Sequence, residues 1–170
     1  SNALTELKSE MERRLKLFSD RRVDNISGFN NGVNKEEKLP YLLVMITESD
    51  SLLLGDRRKE VIELLMTLTI KGRTTGIILI QTVLTQMGSS ARTDLIPHQL
   101  KISFSCVIAS HLRSDLDSIV AIGKEGAEKL LESEFLIKWI DSPEVAKIKM
   151  SDISYWKLHK IVDSTTKEFS

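Results

Sequence analysis

Glu48 closes the apolar run Leu39–Thr47 (LPYLLVMIT), and Arg73 closes a helical pattern in the string Lys71-Gly72-Arg73. Taken alone, each has an ordinary reading. A carboxylate at the end of a buried strand is a polar residue meeting solvent, and an arginine at a helix C-terminus suits the helix dipole. Cys106 is the single cysteine and sits in the apolar run Ile102–Ala109. It reads as a buried structural thiol rather than a nucleophile, and it cannot form an internal disulfide. His98, His111 and His159 are scattered, so with one cysteine and no close histidine pair a zinc site has no support. Arg13 and Arg14 read as an exposed helix face with local partners such as Glu10. Tyr155 and Trp156 read as packing residues of a last helix.

The elements that would carry these residues follow from periodicity. Leu4, Leu7, Met11, Leu15 and Phe18 predict a helix over Leu4–Ser19. Asp20–Lys38 is polar and rich in Asn and Gly, a long loop with a helical turn near Ile26–Phe29. Pro40–Thr47 is apolar without alternation, which predicts a strand buried on both faces, as in a parallel sheet under helices. Val61, Leu64, Leu65 and Leu68 mark an amphipathic helix over Arg57–Lys71, stopped by Gly72 and Gly76. Gly76–Leu84 is the next buried strand, Thr85–Arg92 a polar loop, Ala91–Leu95 a short helix stopped by Pro97, and Lys101–Ala109 a third buried strand. Ser114 with Asp117 has the form of a helix start, giving a helix over Asp115–Ala121. Glu125–Glu132 is a further short helix. Phe135–Ile140 and Val145–Met150 flank Asp141-Ser142-Pro143 as a hairpin. Ser151 caps a last helix to about Asp163. Strands alternating with helices predict an α/β domain with a mainly parallel sheet flanked by helices and a C-terminal hairpin. Tyr41–Thr47, Ile77–Leu84 and Ile102–Ala109 are expected as its central parallel strands, with Leu4–Ser19 or a second copy shielding the exposed side.

The 170 residues suffice for one domain with a core, 41% of them hydrophobic and 28% charged, an ordinary globular composition. Ser1-Asn2-Ala3 reads as a tag-cleavage remnant, leaving 4–170 as the domain. The formal net charge is zero, which argues against a surface coated in phosphate-binding Lys and Arg. No apolar run approaches the ~20 residues of a membrane span.

Four strings narrow the reading. MERRLKLFSDRRVDNISGFN (Met11 to Asn30) resembles a stretch of the FtsK/SpoIIIE motors that runs roughly MERRY…GVRNLAGFN. LPYLLVMITESDSLL (Leu39 to Leu53) resembles their Walker B strand, roughly LPYIVVVIDEFADLM. KEVIELLMTLTIKGRTTGIILI (Lys59 to Ile80) resembles VEELIARLAQKGRAAGIHLI, and IGKEGAEKLLESEFLI (Ile122 to Ile137) resembles QGGAEKLLGRGDML. The blocks keep the family's order and cover most of the chain, so it is identified as the C-terminal half of a RecA-like P-loop ATPase core of that family, a DNA-translocase motor.

The resemblance implies ATP and Mg as cofactors, and it implies roles. Glu48 falls where the family's Walker B glutamate polarises the attacking water, a catalytic place. Thr47 falls where an aspartate holds magnesium; its hydroxyl orients a water but brings no negative charge, so only a weak, water-mediated metal and nucleotide contact is expected. Arg73 falls where family members send a catalytic arginine into the neighbouring subunit's site, against the plainer reading of a solvated helix end. Thr85-Gln86 stands as a displaced remnant of the family's γ-phosphate sensor, with Leu84 in direct register, so Gln86 is the cofactor-binding candidate there. The phosphate-cradling motif G-x-x-x-x-G-K-[ST] occurs nowhere, and Gly123-Lys124-Glu125-Gly126 does not have its spacing.

The implied activity is that of a fragment of an ATP-driven DNA translocase, working as a hexamer or mixed oligomer of FtsK-like subunits on double-stranded DNA, on the cytoplasmic side and without direct membrane contact from this segment. Two alternatives stand beside it: a degenerate pseudo-ATPase assembly module, and a part of a type VII protein-secretion ATPase. The isolated chain is expected neither to hydrolyse ATP nor to bind duplex DNA tightly.

Overall fold

The computed structural model describes residues 2–83, 96–151 and 157, and for residues 2, 50 and 51 the backbone alone. Two compact units divide at Ser105 and Cys106.

In the first unit, Leu4, Met11 and Phe18 recur every seventh residue, fall on one helical stripe and are all buried. They belong to α1 (Asn2–Arg21). Asn25 caps α2 (Ile26–Asn31) by accepting from the Gly28 N–H at 2.9 Å. Ile26 and Phe29 of α2 join Phe18 in a small cluster. Asn30 staples the returning chain, its amide donating to the Leu39 carbonyl and its carbonyl accepting from the Leu39 N–H, each at 2.9 Å.

The next two apolar runs form β1 (Leu42–Ile46) and β2 (Ile77–Gln81). They pair in parallel, from Leu42 opposite Ile77 to Ile46 opposite Gln81. Parallel strands need a crossover between them, and here it carries α3 (Asp50–Leu54) and α4 (Arg58–Thr75). Val61, Leu64, Leu65 and Leu68 of α4 pack with Leu4, Met11 and Leu53 against Leu42, Val44, Ile46 and Leu79. Gly76 ends α4 in the left-handed conformation, its N–H returned to the Arg73 and Gly72 carbonyls. After Pro97, α5 (His98–Ser103) buries Leu100 in the same core.

Among the described residues, the parallel strands are covered on one face only. Leu43 is 63% exposed and Met45 60%, and their partners Ile78 and Ile80 are also exposed. The expectation of burial on both faces is therefore corrected for this chain. A pleated strand sends alternate side chains to opposite faces; an unbroken apolar run tells that both faces suit burial, not what covers them. Helix α1 does not shield this face, because its Leu4 and Met11 join α4 on the other one.

In the second unit, Ser114 caps α6 (Asp115–Ile122): its Oγ accepts from the Asp117 N–H at 3.1 Å and donates to Asp117 Oδ2 at 2.8 Å. Strands β3 (Cys106–Ala109), β4 (Glu134–Trp139) and β5 (Val145–Lys149) form an antiparallel sheet in that order. Ala109, Ile122, Ala127, Leu130 and Leu136 make its core. The short helix expected over Glu125–Glu132 is a single 3₁₀ turn, Ala127–Lys129. It is held by Ser118, whose Oγ donates to the Lys124 carbonyl at 2.6 Å and accepts from the Ala127 N–H at 3.0 Å.

The parallel pair under helices and the C-terminal hairpin are both present. The third strand is corrected. Residues from Lys101 to Ser103 are helical, drawn in by Leu100 and by the hydrogen bond that the Ser103 hydroxyl donates to the Leu100 carbonyl, and only Cys106–Ala109 of the run is strand. That strand pairs antiparallel with β4, Ala109 opposite Leu136. The helices expected at Ala91–Leu95 and from Ser151 to Asp163, the latter with Tyr155 and Trp156, lie outside the described residues but for a helical Lys157.

Candidate functional site at the carboxyl edge of the parallel strands

Strand β1 ends at Ile46, so Thr47 and Glu48 stand just past its carboxyl end, where ligands of open α/β sheets gather. Both are exposed. Glu48 takes φ 49°, left-handed for a residue with a side chain. The chain then enters α3 through Ser49, which is fully buried.

The end of β2 grips this turn. The Glu48 N–H donates to Thr82 Oγ1 at 3.1 Å. The Ser49 N–H and the Ser49 hydroxyl both donate to the Thr82 carbonyl at 3.1 Å. The Gln81 side-chain amide donates to Ser49 Oγ at 2.7 Å, and its Oε1 is buried without a hydrogen-bond partner. The Thr82 N–H completes the ladder to the Ile46 carbonyl at 2.9 Å. Sequence reading missed Ser49, Gln81 and Thr82; the signal available was three polar residues placed where two apolar runs end.

Arg73 is elsewhere. It lies exposed in the last turn of α4, which runs into Ile77 at the amino end of β2. Ile77 pairs with Leu42, the first residue of β1, whereas Glu48 follows the last. Five paired residues at ~3.3 Å each place Arg73 and Glu48 roughly 15 Å or more apart, at opposite edges of the sheet. Thr47 and Glu48 are thus brought together with Gln81 and Thr82, and Arg73 is not. Gln86 lies outside the described residues.

Arg14 corrects a reading. Arg13 is half-exposed and pairs with Glu10, as expected, but Arg14 is only 2% exposed. Its Nε donates to Glu10 at 2.7 Å, and one terminal nitrogen donates to the Pro40 carbonyl at 2.8 Å and the Thr75 carbonyl at 2.9 Å. Those carbonyls precede β1 and β2, so Arg14 ties the amino edge of both strands to α1. Arg13, aided by Arg14 and opposed by burial, holds the Glu10 carboxyl down to about 2. Cys106 is half-buried at the start of β3, and burial raises its thiol above the usual range, which keeps it protonated.

Chemically, the described residues of the carboxyl edge offer the solvent-facing carboxylate of Glu48 and the hydroxyls of Thr47 and Thr82. The backbone N–H groups of Glu48 and Ser49 are already taken by Thr82, so they form no nest for an anion. Among the described residues no group of three or more His, Cys, Asp or Glu could hold a metal ion.

No family model matches the chain. By sequence it is similar to the DNA translocase FtsK of Streptococcus pneumoniae, 33% identical over 96% of this chain and 22% of that protein. The DNA translocase FtsK of Staphylococcus epidermidis is 37% identical over 77% of this chain and 17% of its own length. The chain therefore spans about a fifth of the length of these relatives. Among solved structures, the conjugation coupling protein TcpA of pCW3, in monomer form with ATPγS, superposes with a TM-score of 0.74 at 21% identity, over 96% of this chain and 48% of that one. The cytoplasmic domain of the Thermomonospora curvata type VII secretion ATPase EccC gives 0.68 at 19% identity, over 88% and 17%. At those identities the likeness speaks to the fold, which is that of the P-loop ATPases.

Proposed function

We propose, for a chain that belongs with the FtsK/SpoIIIE-like ATPases, that it is a segment of an ATP-driven DNA translocase contributing to two different nucleotide sites. The observation that carries this reading is the separation of Glu48 from Arg73 across the length of β1 and β2. One chain cannot bring both to one phosphate. In a ring, Glu48 of one subunit would polarise the attacking water while Arg73 of its neighbour neutralises charge on the transferring phosphoryl group.

ATP and magnesium, which the kinship implies, do not fit the described residues of this chain by themselves. Thr47 supplies no charge to a cation, the turn's N–H groups are occupied, and the sequence has no phosphate-cradling motif. No reaction step is assigned to the isolated chain. Duplex DNA would be held by the assembled ring through its backbone charge, since a chain of zero net charge offers few phosphate contacts alone. The working place is the cytoplasmic side; among the described residues no helix is long and apolar enough to cross a membrane.

Mixing subunits tests the reading. In an FtsK-like assembly carrying this segment, Glu48→Gln and Arg73→Ala subunits should each be inactive alone, and mixtures should regain DNA-stimulated ATP turnover at interfaces that pair an intact Glu48 with an intact Arg73. Mixtures as inactive as either parent would rule out shared sites. Thr47 favours a second reading, a pseudo-ATPase module that completes an assembly without turning over; magnesium-dependent hydrolysis by the purified chain, abolished by Glu48→Gln, would exclude it.

A further inference from the structure

Glu48 sits at φ 49°, a conformation that a residue with a Cβ keeps only when its surroundings impose it. The turn is held from the end of β2. Thr82 receives the N–H groups of both Glu48 and Ser49, and its own N–H goes to Ile46, on the other side of Glu48. Of these bonds, those through the Thr82 carbonyl and N–H would survive any residue at position 82 except, for the N–H, proline. The bond to Glu48 itself would not, because its acceptor is the Thr82 hydroxyl at 3.1 Å.

We infer that Thr82 is a positioning residue for Glu48, its hydroxyl fixing the Glu48 peptide in the left-handed turn that places the carboxylate at the carboxyl edge of β1. Ser49 is fully buried and bound to Gln81 and Thr82, so the residue after Glu48 cannot rotate to relieve the turn. Glu48 is exposed, so without the hydroxyl its N–H turns to water and nothing side-chain-specific resists a return to negative φ. The functional meaning of this grip rests on the proposed role of Glu48; the grip itself does not.

Nuclear magnetic resonance on the full 170-residue chain tests it. A positive φ brings a residue's own amide hydrogen close to its Hα and gives a strong cross-peak between them. That cross-peak at Glu48 is expected in the parent chain and in Thr82→Ser, and lost in the nearly isosteric Thr82→Val. Its persistence in Thr82→Val overturns the inference, as does its loss in both variants alike, because Thr82→Ser keeps the hydroxyl and would then show that the hydroxyl does not hold the turn. Should Thr82→Val not fold, hydrogen exchange in the parent chain decides. An exposed Glu48 amide slowed by about tenfold or more supports the bond to Thr82, and exchange at the rate of a free amide overturns it. No nucleotide enters any of these measurements, so failure of the positioning role and failure of the nucleotide reading are told apart.

Discussion

The guanidinium of Arg14 donates to the carbonyl oxygen of Thr75, 61 residues away in sequence, at 2.9 Å. The same nitrogen reaches the Pro40 carbonyl, and the Nε reaches Glu10. A charge is thus buried with hydrogen bonds from two of its nitrogens, at the point where α1, the entry to β1 and the end of α4 meet. Breaking such an arrangement leaves the buried Thr75 carbonyl without its Arg14 donor, which costs more than the pairing contributes.

Arg14→Met should therefore destabilise the chain by about 3 kcal/mol, since it takes the Arg14 donors from the Pro40 and Thr75 carbonyls and leaves Glu10 to Arg13 alone. Arg13→Met, half-exposed and bound to the same carboxylate, should cost less than about 1 kcal/mol. Arg14→Lys should fall between, because a single ammonium lacks the planar fork. Urea unfolding of the three variants decides; equal losses for Arg13 and Arg14 would contradict the assignment.

Acid sensitivity follows from Glu10. Its folded pKa of about 2 lies below the unfolded value of 4.5, so its contribution is complete above pH 4.5 and is lost as pH falls toward 2. Allowing for solvent around the exposed Arg13, the loss should be about 1 kcal/mol. Unfolding free energies measured across that window should fall more steeply for the parent chain than for Glu10→Gln. Parallel curves would show that the pair carries no stability.

Gly76→Ala should cost about 2–3 kcal/mol. Gly76 holds φ 79°, and a Cβ there would stand 2.3 Å from Cδ1 of Ile26, which is itself buried. Shortening that side chain in the double variant Gly76→Ala with Ile26→Val should recover the steric part and leave the cost of the left-handed φ. Full additivity of the two substitutions in thermal unfolding would mean that Ile26 is not the obstacle.

Thr47→Asp should create a measurable affinity for Mn(II) at the carboxyl edge of β1, because it puts a second carboxylate beside Glu48. Titration followed by manganese paramagnetic resonance should show binding in the variant, lost again in Thr47→Asp with Glu48→Gln. Identical titrations for the parent chain and Thr47→Asp would mean that the neutral residue at 47 is not what limits metal binding.

What the sequence determined was local. The spacing of Val61, Leu64, Leu65 and Leu68 produced α4, Gly76 ended it, Ser114 with Asp117 began α6, and Asp141-Ser142-Pro143 joined the hairpin strands. Each of these depends on groups within a turn or two, where the chain's own geometry fixes the distances. Position within a strand run likewise put Thr47 and Glu48 past the end of β1. The tertiary structure decided what depends on distant partners. The Glu10–Arg14 pair is an i,i+4 pattern visible in sequence, but the carbonyls that bury Arg14 come from 26 and 61 residues away. The hydroxyl that receives the Glu48 N–H comes from 34 residues away. The apolar run at Ile102–Ala109 could serve a strand or a helix. Leu100 chose helix for its beginning by entering the core of α1 and α4, and β4 chose antiparallel pairing for its end. An apolar pattern states which side chains gain by leaving water; only the neighbours that the fold supplies settle where they go.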